Sequence, residues 1–131
     1  MKIKTKTLSG IALDWFVAKC EGGVEQGVYG TPEILESGLH LHYCDVLLSH
    51  PYSPSTDWAL GGPIIEKELM QAFSYEKYSP DEPWFVEKNH FGRHHKAGRS
   101  YARGSTILIA AMRCYVSSKL GDEVEIPEEM L

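Results

Sequence analysis

The residues between Pro51 and Pro63, PYSPSTDWALGGP, hold the densest chemistry in the chain. Ser53, Ser55, Thr56 and Asp57 are short polar side chains that bond readily to nearby backbone, so a tight, ordered turn is expected here. Trp58 or Tyr52 can offer a ring to a flat ligand, with Ser55, Thr56 and Asp57 supplying polar contacts. Gly61 and Gly62 admit a close backbone or ligand, and Pro63 leads into a strand at 64–68. One aromatic face with a few placed polar groups suits a nucleobase and its ribose. The plainer alternative is a connection in which Trp58 plugs the core.

Three arginines add anion chemistry. Arg113 falls on an apolar helix face with Ile109, Ala110, Val116 and Ser117. A guanidinium there needs a carboxylate or a bound anion, since desolvating it alone costs several kcal/mol. Either it pairs internally, with Asp14 or Asp45 as candidates, or it clamps a phosphate. Arg99 and Arg103 approach the start of the same helix near Ser105, where unpaired N–H groups favour phosphate. A solvated basic loop is the plain alternative.

Histidines and cysteines give less. His90, His94 and His95 form a loose cluster, and His40 and His42 share one face of a strand, but neither spacing matches a zinc pattern. Cys20, Cys44 and Cys114 are far apart among apolar neighbours and read as buried free thiols. The sequence has no nucleophile-elbow GxSxG, HExxH, Walker loop or GxGxxG. No metal and no cofactor is expected, and a binding role is favoured over catalysis.

Two helices must position these groups. One is expected at 9–21 with Ser9 as N-cap, the other at 105–120 with Ser105 as N-cap and Gly121 as stop. Both are apolar on nearly every side, so each must be buried on more than one face. Such surplus implies packing on each other and a sheet, or across a subunit interface; at least a homodimer is expected. Strands are expected at 2–6, 24–29, 39–48, 64–68 and 84–87, with loops at 75–83 and 90–104. The fold class is α+β: one domain over 1–131, an antiparallel sheet with long N- and C-terminal helices packed together.

Composition bounds the rest. The 131 residues are 43% apolar and 24% charged, which suits one globular domain and excludes a disordered or disulfide-built chain. No run is apolar enough to span a membrane and no secretory signal opens the chain, so a cytoplasmic protein is expected. The net charge of −5 is concentrated in an acidic tail, 122–131, with five acids and no base. Setting those aside leaves 13 acidic against 13 basic residues. Within that neutral body, 88–103 carries Lys88, Arg93, Lys96, Arg99 and Arg103 without an acid. That is too small a basic surface for a nucleic-acid polymer and enough for a small anion. The acidic tail would repel such a ligand and is expected to be dispensable for binding it.

The blocks ALDWFVAKC at 12–20, YSPSTDW at 52–58, GGPIIE at 61–66 and IAAMRCYVSSKLGDEV at 109–124 resemble the NinX-like proteins of bacteriophages and prophages. The likeness runs from residue 12 to about 126 and is weakest over 69–104. That family has no assigned activity, so the resemblance implies a phage origin. The STDW, GGP and IE steps, with an Ala-x-x-Arg step on the last helix, are remotely similar to phage anti-Thoeris sponges. These are oligomeric α+β proteins that sequester cyclic nucleotide immune signals such as glycocyclic ADP-ribose without cleaving them. The resemblance implies that Arg113 holds the signal's phosphates. Ser117 stands where those proteins have a second arginine, leaving Arg99 or Arg103 to substitute. The reading is a sponge for a small nucleotide, bound by Ser55, Thr56, Asp57, Trp58, Gly61, Gly62, Arg99, Arg103 and Arg113. A phage protein-interaction domain and a nucleotide-processing enzyme are the alternatives.

Overall fold

The two apolar runs become helices. A computed structural model describes residues 1–21, 33–36, 38–40, 42–43, 46–47, 50–75, 79–89 and 99–127, and in it α1 spans Gly10–Cys20. A second helix, α2, spans Trp58–Lys67, and α3 spans Ile107–Leu120. The α3 cap is Thr106 rather than Ser105: its side chain accepts the Ile109 N–H at 3.1 Å. Ser9 stands at the N-cap of α1 with no side-chain cap bond.

Among the described residues nine short strands accompany them: β1 (Lys2–Lys4), β2 (Glu33–Leu35), β3 (Gly38–His40), β4 (His42–Tyr43), β5 (Val46–Leu47), β6 (Gln71–Ser74), β7 (Trp84–Asn89), β8 (Arg99–Gly104) and β9 (Glu123–Glu125). Every pairing is antiparallel, in the sets β1-β9, β2-β3, β4-β5 and β6-β7-β8. The class is α+β. The antiparallel strands form several small sheets rather than one.

Helix α3 lies across β7 and β8, with α1 and α2 against it. Gly104 makes that approach possible, because a Cβ there would stand 2.6 Å from the Ala110 nitrogen. Leu13, Val17, Val86, Ala111, Met112 and Val116 fill the core, each at most 1% exposed. Every residue of α3 from Leu108 to Ser117 except Ile109 is buried within one chain. The apolar surface of α3 is therefore largely covered within one chain, while on α1 Ile11 remains 41% exposed.

Two sequence expectations are corrected. Residues 64–68 do not form a strand; 64–67 end α2. Asp57 caps that helix by accepting the Ala59 N–H at 2.9 Å, and Gly61 and Ile64 are buried along it. Pro63 is exposed, and the helical donor it lacks would have served Ala59 in the exposed first turn. Cap and burial outweigh the β-branched pair Ile64–Ile65. Residues 99–104, expected as loop, form β8. Of the acidic tail, 123–125 form β9, which pairs with β1, and Val124 and Ile126 are in the core. The strand expected at 24–29 lies outside the described residues, as do Cys44, Asp45, His90, Arg93, His94, His95 and Lys96. Among the described residues, no helix is long and apolar enough to cross a membrane.

Candidate functional site

Strand alternation gives β7 and β8 two different faces. Val86, Ala102 and Gly104 are buried toward α3. Phe85, Glu87, Tyr101 and Arg103 therefore turn the other way. The register sets Phe73, Phe85 and Arg103 side by side across the three strands, with Gln71, Glu87 and Tyr101 in the next row.

On this outer face the rings and cations form a column. Phe85 stacks on Tyr101, centroids 5.5 Å apart and planes 23° apart. Lys6 Nζ stands 3.4 Å from the Tyr101 centroid, and the Arg103 guanidinium carbon 5.3 Å from that of Phe85. Tyr75 meets Phe85 edge-on at 5.9 Å and lies 5.8 Å from the same guanidinium. Phe73, Tyr75, Phe85, Glu87 and Arg103 line a cleft of about 290 Å³. Phe73 and Tyr75 each remain 40% exposed.

Arg103 is the polar feature of this cleft. Its NH1 is buried and has no hydrogen-bond partner among the described residues. An unsatisfied buried donor costs about 1–3 kcal/mol, which an oxygen of a bound ligand would recover. Two flanking rings hold the guanidinium by cation–π attraction and offer apolar edges to a flat group. Glu87 adds an acceptor in the neighbouring row. Such a set can hold a planar, anionic molecule.

Arg113 is not open to this cleft in the same way. Its Nε donates to Leu8 O (2.7 Å), and its NH1 donates to Glu82 Oε2 (2.7 Å) and Arg103 O (2.8 Å). The expected carboxylate exists: among the described residues it is Glu82 rather than Asp14, and Asp45 lies outside them. Arg113 thus holds the backbone of Arg103 at β8, an edge strand of its sheet. Of Arg99, the structure describes the backbone, at the start of β8. Arg103 does not converge on the N-terminus of α3, because it faces away from that helix.

The 51–63 segment does structural work on the other side of the sheet. The Ser55 N–H donates to Asp14 Oδ1, Asp57 caps α2, and the Thr56 and Asp57 N–H groups both donate to Ser53 O. Gly61 lies against Pro54 and Leu108, where a Cβ would stand 2.3 Å from the Pro54 carbonyl oxygen. Trp58 does not plug the core: it is 56% exposed, beside Gly62. Ser55, Thr56, Asp57, Trp58, Gly61 and Gly62 are therefore grouped, but not with Arg103. The rings that do join Arg103 were legible only as alternation, Phe85-Val-Glu87 and Tyr101-Ala-Arg103, once both segments are strands.

Two thiols are poor nucleophiles. Burial pushes Cys20 and Cys114 up to about 12 each, and Cys114 Sγ donates to Ser100 O. Among the described residues no three His, Cys, Asp or Glu side chains gather as a metal site.

The protein is thus an α+β scaffold that bears an arginine and open aromatic rings on the sheet face away from its helices. The chain belongs to the family described as Bacteriophage P22, NinX, which matches residues 4–119, a span that includes all of α1 and α2, α3 except its last residue, and every lining residue of the cleft. No curated protein matches the chain.

Proposed function

We propose that this phage-family protein binds and sequesters a phosphate-bearing nucleotide signal of its host, of the cyclic nucleotide or glycocyclic ADP-ribose type, without cleaving it. The observation that carries the reading is the buried, unpartnered NH1 of Arg103, set between Tyr75 and Phe85 beside an open cleft. A phosphate oxygen supplies the acceptor that this donor lacks once the Arg103 side chain turns NH1 toward the cleft, and the base covers Phe73 and Tyr75. A volume of about 290 Å³ takes the base and one phosphate and leaves the remainder of a larger signal outside.

The test is mass spectrometry of small molecules released by heating protein purified from host cells, followed by calorimetry with ADP-ribose and a cyclic dinucleotide. A bound nucleotide is expected to return with its mass unchanged, and Arg103→Met to weaken binding by roughly a hundredfold. A changed mass would make the protein an enzyme. The exposed rings of Phe73, Tyr75 and Tyr101 also suit burial by a protein partner. That second reading is favoured if no nucleotide is released and a host protein is retained by the native chain but lost with Arg103→Met.

A further inference from the structure

Two lining residues of the cleft are tied to one side chain that does not line it. Arg103 forms one wall, and its carbonyl oxygen accepts from Arg113 NH1. Tyr75 forms another. Its N–H donates to Pro83 O at 2.6 Å and its carbonyl accepts the Ser79 N–H at 3.1 Å, so Tyr75 is fastened to the segment 79–83. That segment carries Glu82, whose Oε2 is bound by the same Arg113 NH1. Arg113 is itself anchored, through Nε, on Leu8 O.

Resting on the nucleotide reading above, we infer that the Arg113–Glu82 ion pair is a positioning couple. It sets the gap between the Tyr75 ring and the Arg103 guanidinium, 5.8 Å here, and so selects anions that carry a flat ring over anions that do not. An anion alone needs only Arg103. A base needs Tyr75 held at the right distance from that phosphate contact, and the stacked base is worth about a tenfold to hundredfold gain in affinity. The couple touches neither part of the ligand, so Glu82 acts through Tyr75 alone.

Glu82 is the residue to change, because its side chain is 45% exposed, so its removal opens no cavity, and Arg113 keeps its bonds to the Leu8 and Arg103 carbonyls. Calorimetry would compare ADP-ribose with ribose 5-phosphate on the native chain and on Glu82→Ala. Hydrogen exchange at the Tyr75 amide would be followed in both without ligand. The expected result is about a tenfold loss for ADP-ribose, ribose 5-phosphate unchanged within about twofold, and faster exchange at Tyr75. Glu82→Gln, which keeps a weaker acceptor for Arg113, should restore part of each effect. Equal loss for both ligands would overturn the selectivity, since a general loosening has no preference for rings. Unchanged exchange at Tyr75 would overturn the couple itself. A native chain that binds neither ligand overturns the nucleotide reading and the selectivity together, while the exchange measurement still decides whether Glu82 holds the wall.

Discussion

The carboxylate of Asp14 in α1 accepts the backbone N–H of Ser55 at 2.9 Å, joining two segments 41 residues apart. Asp14 is 5% exposed, and burial pushes it up from 3.8 to about 6, against the hydrogen bonds from Ser55, which pull it down. The folded chain therefore holds this proton more tightly than the unfolded one. Its ionisation costs stability as pH rises from about 4 to about 6, and the loss is complete above that, on the order of 3 kcal/mol. Asp14→Asn keeps an acceptor for Ser55 and has no charge to bury. Urea melts at pH 4.5 and 7.5 should show that the variant lacks this part of the native pH dependence. A variant with the native slope would show that Asp14 is not its source.

Glu68, at the end of α2, gives a pH dependence of the opposite sign. Burial pushes its carboxyl up, but hydrogen bonds from Lys88 (2.9 Å) and Lys119 (3.2 Å) more than offset this, leaving it below its ordinary value. Its contribution is present above the unfolded value of 4.5 and is lost as pH falls through the folded one. Glu68→Gln leaves Lys88, 16% exposed, without its charge partner. A loss of about 2–3 kcal/mol at neutral pH is expected in denaturant melts. A loss under about 0.5 kcal/mol would place this cluster with ordinary surface pairs.

Replacing Arg113 by Met strands the Leu8 and Arg103 carbonyls and the Glu82 carboxylate together. Stability should fall by about 3–5 kcal/mol, several degrees in Tm. A guanidinium waiting for a phosphate predicts the reverse, level or higher stability without ligand. Thermal melts of Arg113→Met alone separate these outcomes.

The adjacent glycines of α2 should respond with opposite signs. Gly61→Ala drives a methyl into the Pro54 carbonyl and Leu108 Cδ2, 2.3 and 2.6 Å away, and should cost about 2–3 kcal/mol. Gly62→Ala meets only Trp58 Cε3 at an ordinary 3.7 Å and should gain about 0.5–1 kcal/mol from helix propensity. If both variants lost nucleotide while keeping their stability, the pair would belong to a ligand site after all.

These cases mark what the sequence could and could not specify. Helices α1 and α3 were legible, since a long apolar run flanked by caps has few other outcomes. A buried partner for Arg113 was legible as a need. Its identity was not, because helical spacing names neighbours on one face and says nothing of a loop 31 residues away. Helix α2 was misread because Pro63 and two isoleucines outweighed, in local terms, a cap and a burial pattern set by tertiary contact. The cleft was missed for a related reason. Its side chains come from three strands, of which 99–104 reads as loop and 71–74 is left unassigned from sequence alone, and only the pairing register brings Phe73, Phe85 and Arg103 into one row.

The pairing of β1 with β9 bears on how the chain is made. Lys2 to Lys4 emerge from the ribosome early, yet their ladder partners, Glu125 to Glu123, come more than a hundred residues later. Thr5 waits for the same region, its N–H and hydroxyl both directed to the Asp122 carbonyl. Closing so long a loop is slow and comes after local helices and hairpins have formed. During synthesis β1 therefore stays without its ladder partner until β9 has been made, more than a hundred residues later.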